Sequence, residues 1–116
     1  MSAHSKELII IDLWTVAPDR RQEMTRALRA GLDQLRLIDG FIEGDVLTND
    51  DKTKVASFVR FRSAEDWERA TEHEEFLEHM RALEAIGTSH ADVYERTAVI
   101  APPRDHGPTK VSHGAF

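Results

Sequence analysis

Leu8-Ile9-Ile10-Ile11-Asp12-Leu13-Trp14-Thr15-Val16 is the stretch on which the architecture turns. It is short, β-branched and aromatic, which predicts a strand. Both of its alternating faces are apolar, so it is covered on both sides and sits at the centre of a sheet. Pro18 ends the strand and opens a helix, with Asp19 near the positive N-terminal end. Met24, Ala27, Leu28, Gly31, Leu32, Leu35 and Ile38 then recur at helical spacing, with arginines and acids on the other face. That pattern predicts an amphipathic helix of about five turns, stopped by Asp39-Gly40.

Residues 41–48 read as a second strand, in which Gly44 marks a bulge or a close approach. Asn49-Asp50-Asp51-Lys52 is a polar turn, and residues 55–62 alternate as a third strand, so 41–62 is a hairpin. Ser63-Ala64-Glu65-Asp66 resembles a helix-capping start, with Asp where the capping box prefers Glu or Gln. Trp67 and Ala70 face inward. Thr71-Glu72-His73 predicts a break before a second helical piece carrying Phe76, Leu77, Met80, Leu83 and Ile86, which ends at Gly87. Residues 93–100 are the predicted last strand. The order β-α-β-β-α-β defines an α+β, ferredoxin-like chain: a four-stranded antiparallel sheet with its helices on one face. Residues 1–7 form an extension, 8–101 the domain, and 102–116 a tail rich in proline and glycine. The helix-free face would carry Ile9, Ile11, Leu13, Phe58 and Ile100, too apolar for water, which predicts a homodimer. Arg60 and Arg62 share parity with Phe58 and suggest ion pairs across that interface.

Composition narrows the function. At 116 residues the chain has room for one domain. A net charge of −6 argues against nucleic-acid binding, which needs a basic footprint. The absence of cysteine removes disulfides, thiolate metal sites and cysteine nucleophiles. The longest apolar run, residues 8–11, is too short to span a bilayer, and residues 1–7 lack the apolar core of a signal peptide. The expectation is a cytoplasmic protein without membrane association.

Several segments carry a resemblance: Asp12-Leu13-Trp14-Thr15-Val16 closing the first strand, Gly40-Phe41 opening the second, Phe61-Arg62-Ser63-Ala64-Glu65-Asp66-Trp67, and Phe76-Leu77-Glu78-His79. Together they resemble the antibiotic biosynthesis monooxygenase family over residues 8–101. The resemblance implies a dimeric α+β barrel and oxygenation with neither metal nor flavin. An anthrone or hydroquinone is deprotonated, and its carbanion passes an electron to dioxygen. In the polyketide-modifying members, asparagines on the first and third strands and a tryptophan ending the third hold the substrate. Those positions fall here on Asp12, Ser57 and Phe61.

Asp12 interrupts an apolar strand, and a buried carboxylate is costly unless paired, hydrogen-bonded or protonated. Burial raises its pKa toward the range of a general base; the alternative is an ion pair with an arginine such as Arg96. Trp14, Phe61, Trp67 and Tyr94 are either core aromatics or the walls of a flat substrate pocket. Ser57 makes room or contacts a substrate oxygen. His79 is an acid, base or hydrogen-bond donor, or else an ordinary helix histidine between acids. His73-Glu74 begins like a zinc-protease signature, but residue 77 is leucine, so no metal is expected. The expectation is therefore a cofactor-independent monooxygenase of antibiotic or polyketide metabolism, with Asp12 and His79 catalytic and Trp14, Ser57, Phe61, Trp67 and Tyr94 binding the substrate. A cyclase of the same fold, a haem-degrading relative with a helix histidine as ligand, and a non-catalytic binding protein are the rivals.

Overall fold

The computed structural model describes residues 7–103. Four strands, β1 (Leu8–Thr15), β2 (Phe41–Thr48), β3 (Lys54–Phe61) and β4 (Thr88–Glu95), form one antiparallel sheet in the order β2-β3-β1-β4. The apolar stretch at 8–16 thus takes an inner position, paired along the whole strand with β3 and with β4. Three helices pack on one face: α1 (Arg21–Leu35), entered through a short 3-10 turn at Pro18–Arg20, then α2 (Ala64–Thr71) and α3 (Glu74–Glu84). The break expected around residue 72 separates α2 from α3. The fold is the ferredoxin-like α+β arrangement, with its second helix in two pieces.

Pleating assigns the faces. Leu8, Ile10, Asp12 and Trp14 of β1 turn toward the helices, as do their β3 partners Phe61, Val59, Ser57 and Val55. Two apolar clusters result. One joins Leu8, Ile10, Leu35, Val59, Phe61 and Ala70. The other joins Trp14, Val16, Met24, Leu28, Val55 and Leu83. In the first, Phe41, Phe61, Trp67 and Phe76 stack edge-to-face in a chain, with centroids 5.9, 5.3 and 5.6 Å apart.

The last strand differs from the sequence expectation: it begins at Thr88, not at residue 93, and ends at Glu95. Gly87 is the reason. A Cβ there would stand 2.5 Å from the Thr15 carbonyl oxygen, so only glycine lets the chain turn off α3 directly against the end of β1. Thr88 then pairs with Thr15, and the ladder runs back to Glu95 opposite Leu8. An edge strand is held by backbone hydrogen bonds and need not be apolar, so the polar Thr88-Ser89-His90 qualifies. Ile100 lies beyond the sheet and is 89% exposed, so it takes no part in the helix-free face. The bulge in β2 falls between Phe41 and Glu43, ahead of Gly44.

Arg62 is likewise placed differently. It lies past the end of β3, where it bonds Asp66 at 2.8 Å and Asp39 at 3.2 Å. Arg60 does face away from the helices, and pairs with Glu7 and with Glu43. Ser63 caps α2, its hydroxyl accepting from the Asp66 backbone N–H at 3.2 Å, while the Asp66 carboxylate returns to Ser63 and to Arg62 and Arg69. Replacing Ser63 by Ala should therefore cost about 1 kcal/mol, read as a lower urea midpoint with an unchanged slope; no shift would mean that Asp66 alone holds the helix start.

Candidate active site

The two clusters do not meet along the middle of the sheet. Asp12 stands between Ile10 of one and Trp14 of the other, and Ser57 between Val59 and Val55. The helices repeat the interruption: Gly31 lies between Leu28 and Leu32 on α1, and His79 between Phe76 and Met80 on α3. These four residues border a cavity of about 500 Å³, whose walls include Ile10, Leu28, Leu35, Trp67, Phe76 and Leu83. That volume suits a small aromatic ligand.

Asp12 forms part of the floor. It is 8% exposed, and its cross-strand neighbours are Ser57 on one side and Ala91 on the other. Both are small, so no side chain closes over the carboxylate. Burial pushes its pKa above the ordinary aspartate value, opposed by the nearby Trp14 indole N–H and by His90. That N–H is close enough to favour the charge but is not placed to bond it: Asp12 Oδ1 and Trp14 Nε1 are both buried without a hydrogen-bond partner. An orphaned buried polar atom costs about 1–3 kcal/mol. The ion pair considered for Asp12 does not form. Arg96 follows the end of β4 that pairs with Leu8, and bonds Glu7 at 3.5 Å.

His79 is half-buried, and desolvation lowers its pKa, which favours the neutral imidazole at physiological pH. The distal end of its ring rests on Gly31. A Cβ at residue 31 would overlap Nε2, Cε1 and Cδ2 together. Glycine inside a helix costs about 1 kcal/mol relative to alanine, so this one is explained by the ring it admits. The same packing turns Nε2 into α1, which does not suit haem ligation through that atom. Among the described residues, no group of three or more His, Asp or Glu side chains is placed to hold a metal ion.

Of the residues singled out from sequence, Asp12, Ser57, Trp67 and His79 border the cavity. Trp14 and Phe61 are fully buried in the two clusters and do not line it. Tyr94 is a correction: it pairs with Ile9, so the pleat carries it to the helix-free face, away from Asp12. Gly31, Ala91 and Glu75 also line the site, and sequence reasoning does not single them out. A glycine on the apolar stripe of a helix is the available signal for Gly31; Ala91 and Glu75 offer none.

The site is thus an apolar cavity between a ferredoxin-like sheet and its helices, with an acid on its floor. The chain's sequence matches the family described as antibiotic biosynthesis monooxygenase over residues 8–82, and the protein belongs to that family. Among solved structures, a point mutant of SnoaB, a cofactor-independent oxygenase from Streptomyces nogalater, superposes with a TM-score of 0.79 at 18% identity, over 84% of this chain and all of that one. PA3566 from Pseudomonas aeruginosa gives 0.73 at 26% identity, over 84% and 100%. An antibiotic biosynthesis monooxygenase assigned in Nitrosomonas europaea gives 0.72 at 15%, over 84% and 96%. No curated protein matches the chain. The fold is of the monooxygenase type, and no helix among the described residues is long and apolar enough to cross a membrane.

Gly31→Ala gains helix propensity and displaces a movable ring. It should leave the urea midpoint nearly unchanged while His79, expelled into water, titrates near its ordinary value of 6.5 by proton NMR. An unmoved histidine resonance would show that the ring does not depend on Gly31.

Proposed function

We propose that the protein is a cofactor-independent monooxygenase acting on a polycyclic aromatic or hydroquinone, in secondary metabolism of the antibiotic or polyketide kind, and working in the cytoplasm. The observation that carries this reading is the buried, unpartnered Asp12 carboxylate with a raised pKa, on the floor of an apolar cavity. Such a group accepts a proton from an acidic C–H or phenolic O–H at neutral pH more readily than an exposed aspartate. For an anthrone, Asp12 takes one proton of the ring CH2. The carbanion gives an electron to dioxygen, and the radical pair combines to a C–O bond. Loss of the second C–H proton and cleavage of the O–O bond leave a carbonyl, with the other oxygen departing as water. Two hydrogens and one oxygen atom leave together, so the step needs no external reductant. Trp67 and Phe76 are the aromatic walls in this reading, Ser57 a hydroxyl contact, and neutral His79 a hydrogen-bond partner for a substrate oxygen.

Carbanion formation is a first step shared by oxygenation and aldol-type chemistry, so the same floor supports ring closure onto a carbonyl of the substrate. That makes a cyclase the second reading, and binding without turnover the third. Dioxygen uptake with a panel of anthrones and hydroquinones separates them. The expected result is enzyme-dependent uptake that falls about a hundredfold or more in Asp12→Ala. The base acts when deprotonated, so uptake rises with pH through a midpoint above the ordinary aspartate value of 3.8. Substrate consumed without dioxygen would leave the cyclase; uptake unchanged in Asp12→Ala would remove the proposed base.

The homodimer belongs to the same proposal. Opposite the helices, Leu13 is 42% exposed and Leu47 and Tyr94 lie open beside Ile11 and Phe58. Burying such a face against a second copy removes an apolar patch from water. Light scattering should give twice the 13.2 kDa chain mass, and Leu13→Glu should return it to the monomer. A monomeric parent at micromolar concentration would refute the dimer.

A further inference from the structure

The cavity has no lining side chain of fixed positive charge, lysine or arginine, among the described residues. Its ionisable side chains are Asp12, Glu75, His73 and His79. Asp12 is on the floor. Glu75 is at the mouth, its side chain 74% exposed and 3.9 Å from the His73 ring. Burial lowers the pKa of His79 and disfavours its charged form. A ligand carboxylate placed inside would lose its water without gaining a cation, which is the costly case for any buried ion. Placed at the mouth, it would face Glu75. The backbone N–H groups at the start of α3 offer no refuge, since Glu74 and Glu75 already occupy that first turn. The net charge of −6 opposes an anion's approach at longer range. The orphaned Asp12 Oδ1 asks for the reverse, a donor, and a phenolic hydroxyl supplies one.

We propose that the cavity selects uncharged, hydroxylated aromatics and turns away their carboxylated relatives, with Asp12 on the floor and Glu75 at the mouth as the specificity-determining residues. This rests on the reading of the cavity as the substrate site, and it narrows the substrate class. Where a precursor carries a carboxyl group, an esterification or a decarboxylation has to precede this protein.

Three probes test it by equilibrium binding, without turnover: a dihydroxyanthraquinone, the same ring bearing a carboxylate, and the methyl ester of that acid. The ester controls for size. At neutral pH the quinone and the ester should bind comparably, and the acid about tenfold or more weakly. Glu75→Lys, at an exposed position, should strengthen binding of the acid about three- to fivefold relative to the ester and the quinone, the scale of one exposed charge contact. Acid bound as tightly as ester would overturn the inference, as would binding of none of the three. The expected order of affinities with no dioxygen uptake on any substrate would retain the selectivity and reject the oxygenase.

Discussion

The middle of this sheet is where the core is interrupted. Close packing of a small domain normally runs unbroken along the inward face of its central strands, because each void forfeits contact energy on both sides. Here Ile10 and Trp14 anchor two separate apolar clusters, and between them the strand offers a carboxylate flanked by Ser57 and Ala91. Neither neighbour has the bulk to cross the gap. The helices respect it too, with Gly31 and His79 at the matching level. The cavity is a layer of the core written in small and polar residues on four elements. The clusters on either side supply the rigidity that keeps it open.

That arrangement explains what was legible in the sequence. The first strand, the long helix and the hairpin rest on local signals: β-branched runs, helical spacing, Gly40 held at φ +98 before β2. Asp12 stands out because it breaks an apolar pattern, and Ser57 through its family position. The last strand is misplaced by sequence because apolar content points to residues 93–100, whereas an edge strand is fixed by where Gly87 releases the chain against Thr15. Tyr94 falls with it, since its face depends on a register that periodicity alone does not give. Phe61 illustrates the other difficulty. Its family position suggests a substrate wall, yet opposite Leu8 it joins an aromatic chain that fills one end of the core.

Two buried aspartates show how environment divides one residue type into two roles. Asp66 is held by Arg62 and then by Ser63, with Arg69 beside it, and these partners lower its pKa. Its contribution to stability is complete above the ordinary carboxylate pKa and is lost as the pH falls through the lowered one. Asp12 has the opposite sign. Its pKa is raised, so its ionised form weighs against the folded state at high pH, and the burden lifts as the pH falls and the proton binds. The chain contains fifteen lysines and arginines, and Arg60, Arg62 and Arg96 all find acids near the ends of the strands. None is spent on Asp12.

A structural carboxylate gains nothing from that isolation. Ile or Val at residue 12 would join the two clusters and remove the orphaned oxygen, as buried polar groups replaced by apolar ones of similar size are often neutral or stabilising. The interruption therefore makes sense as the cost of a site. The same reasoning covers Gly31, where alanine would favour the helix but exclude the His79 ring. Local choices that run against the fold's own stability converge on a single cavity, and such departures are expected where function, not packing, sets the residue.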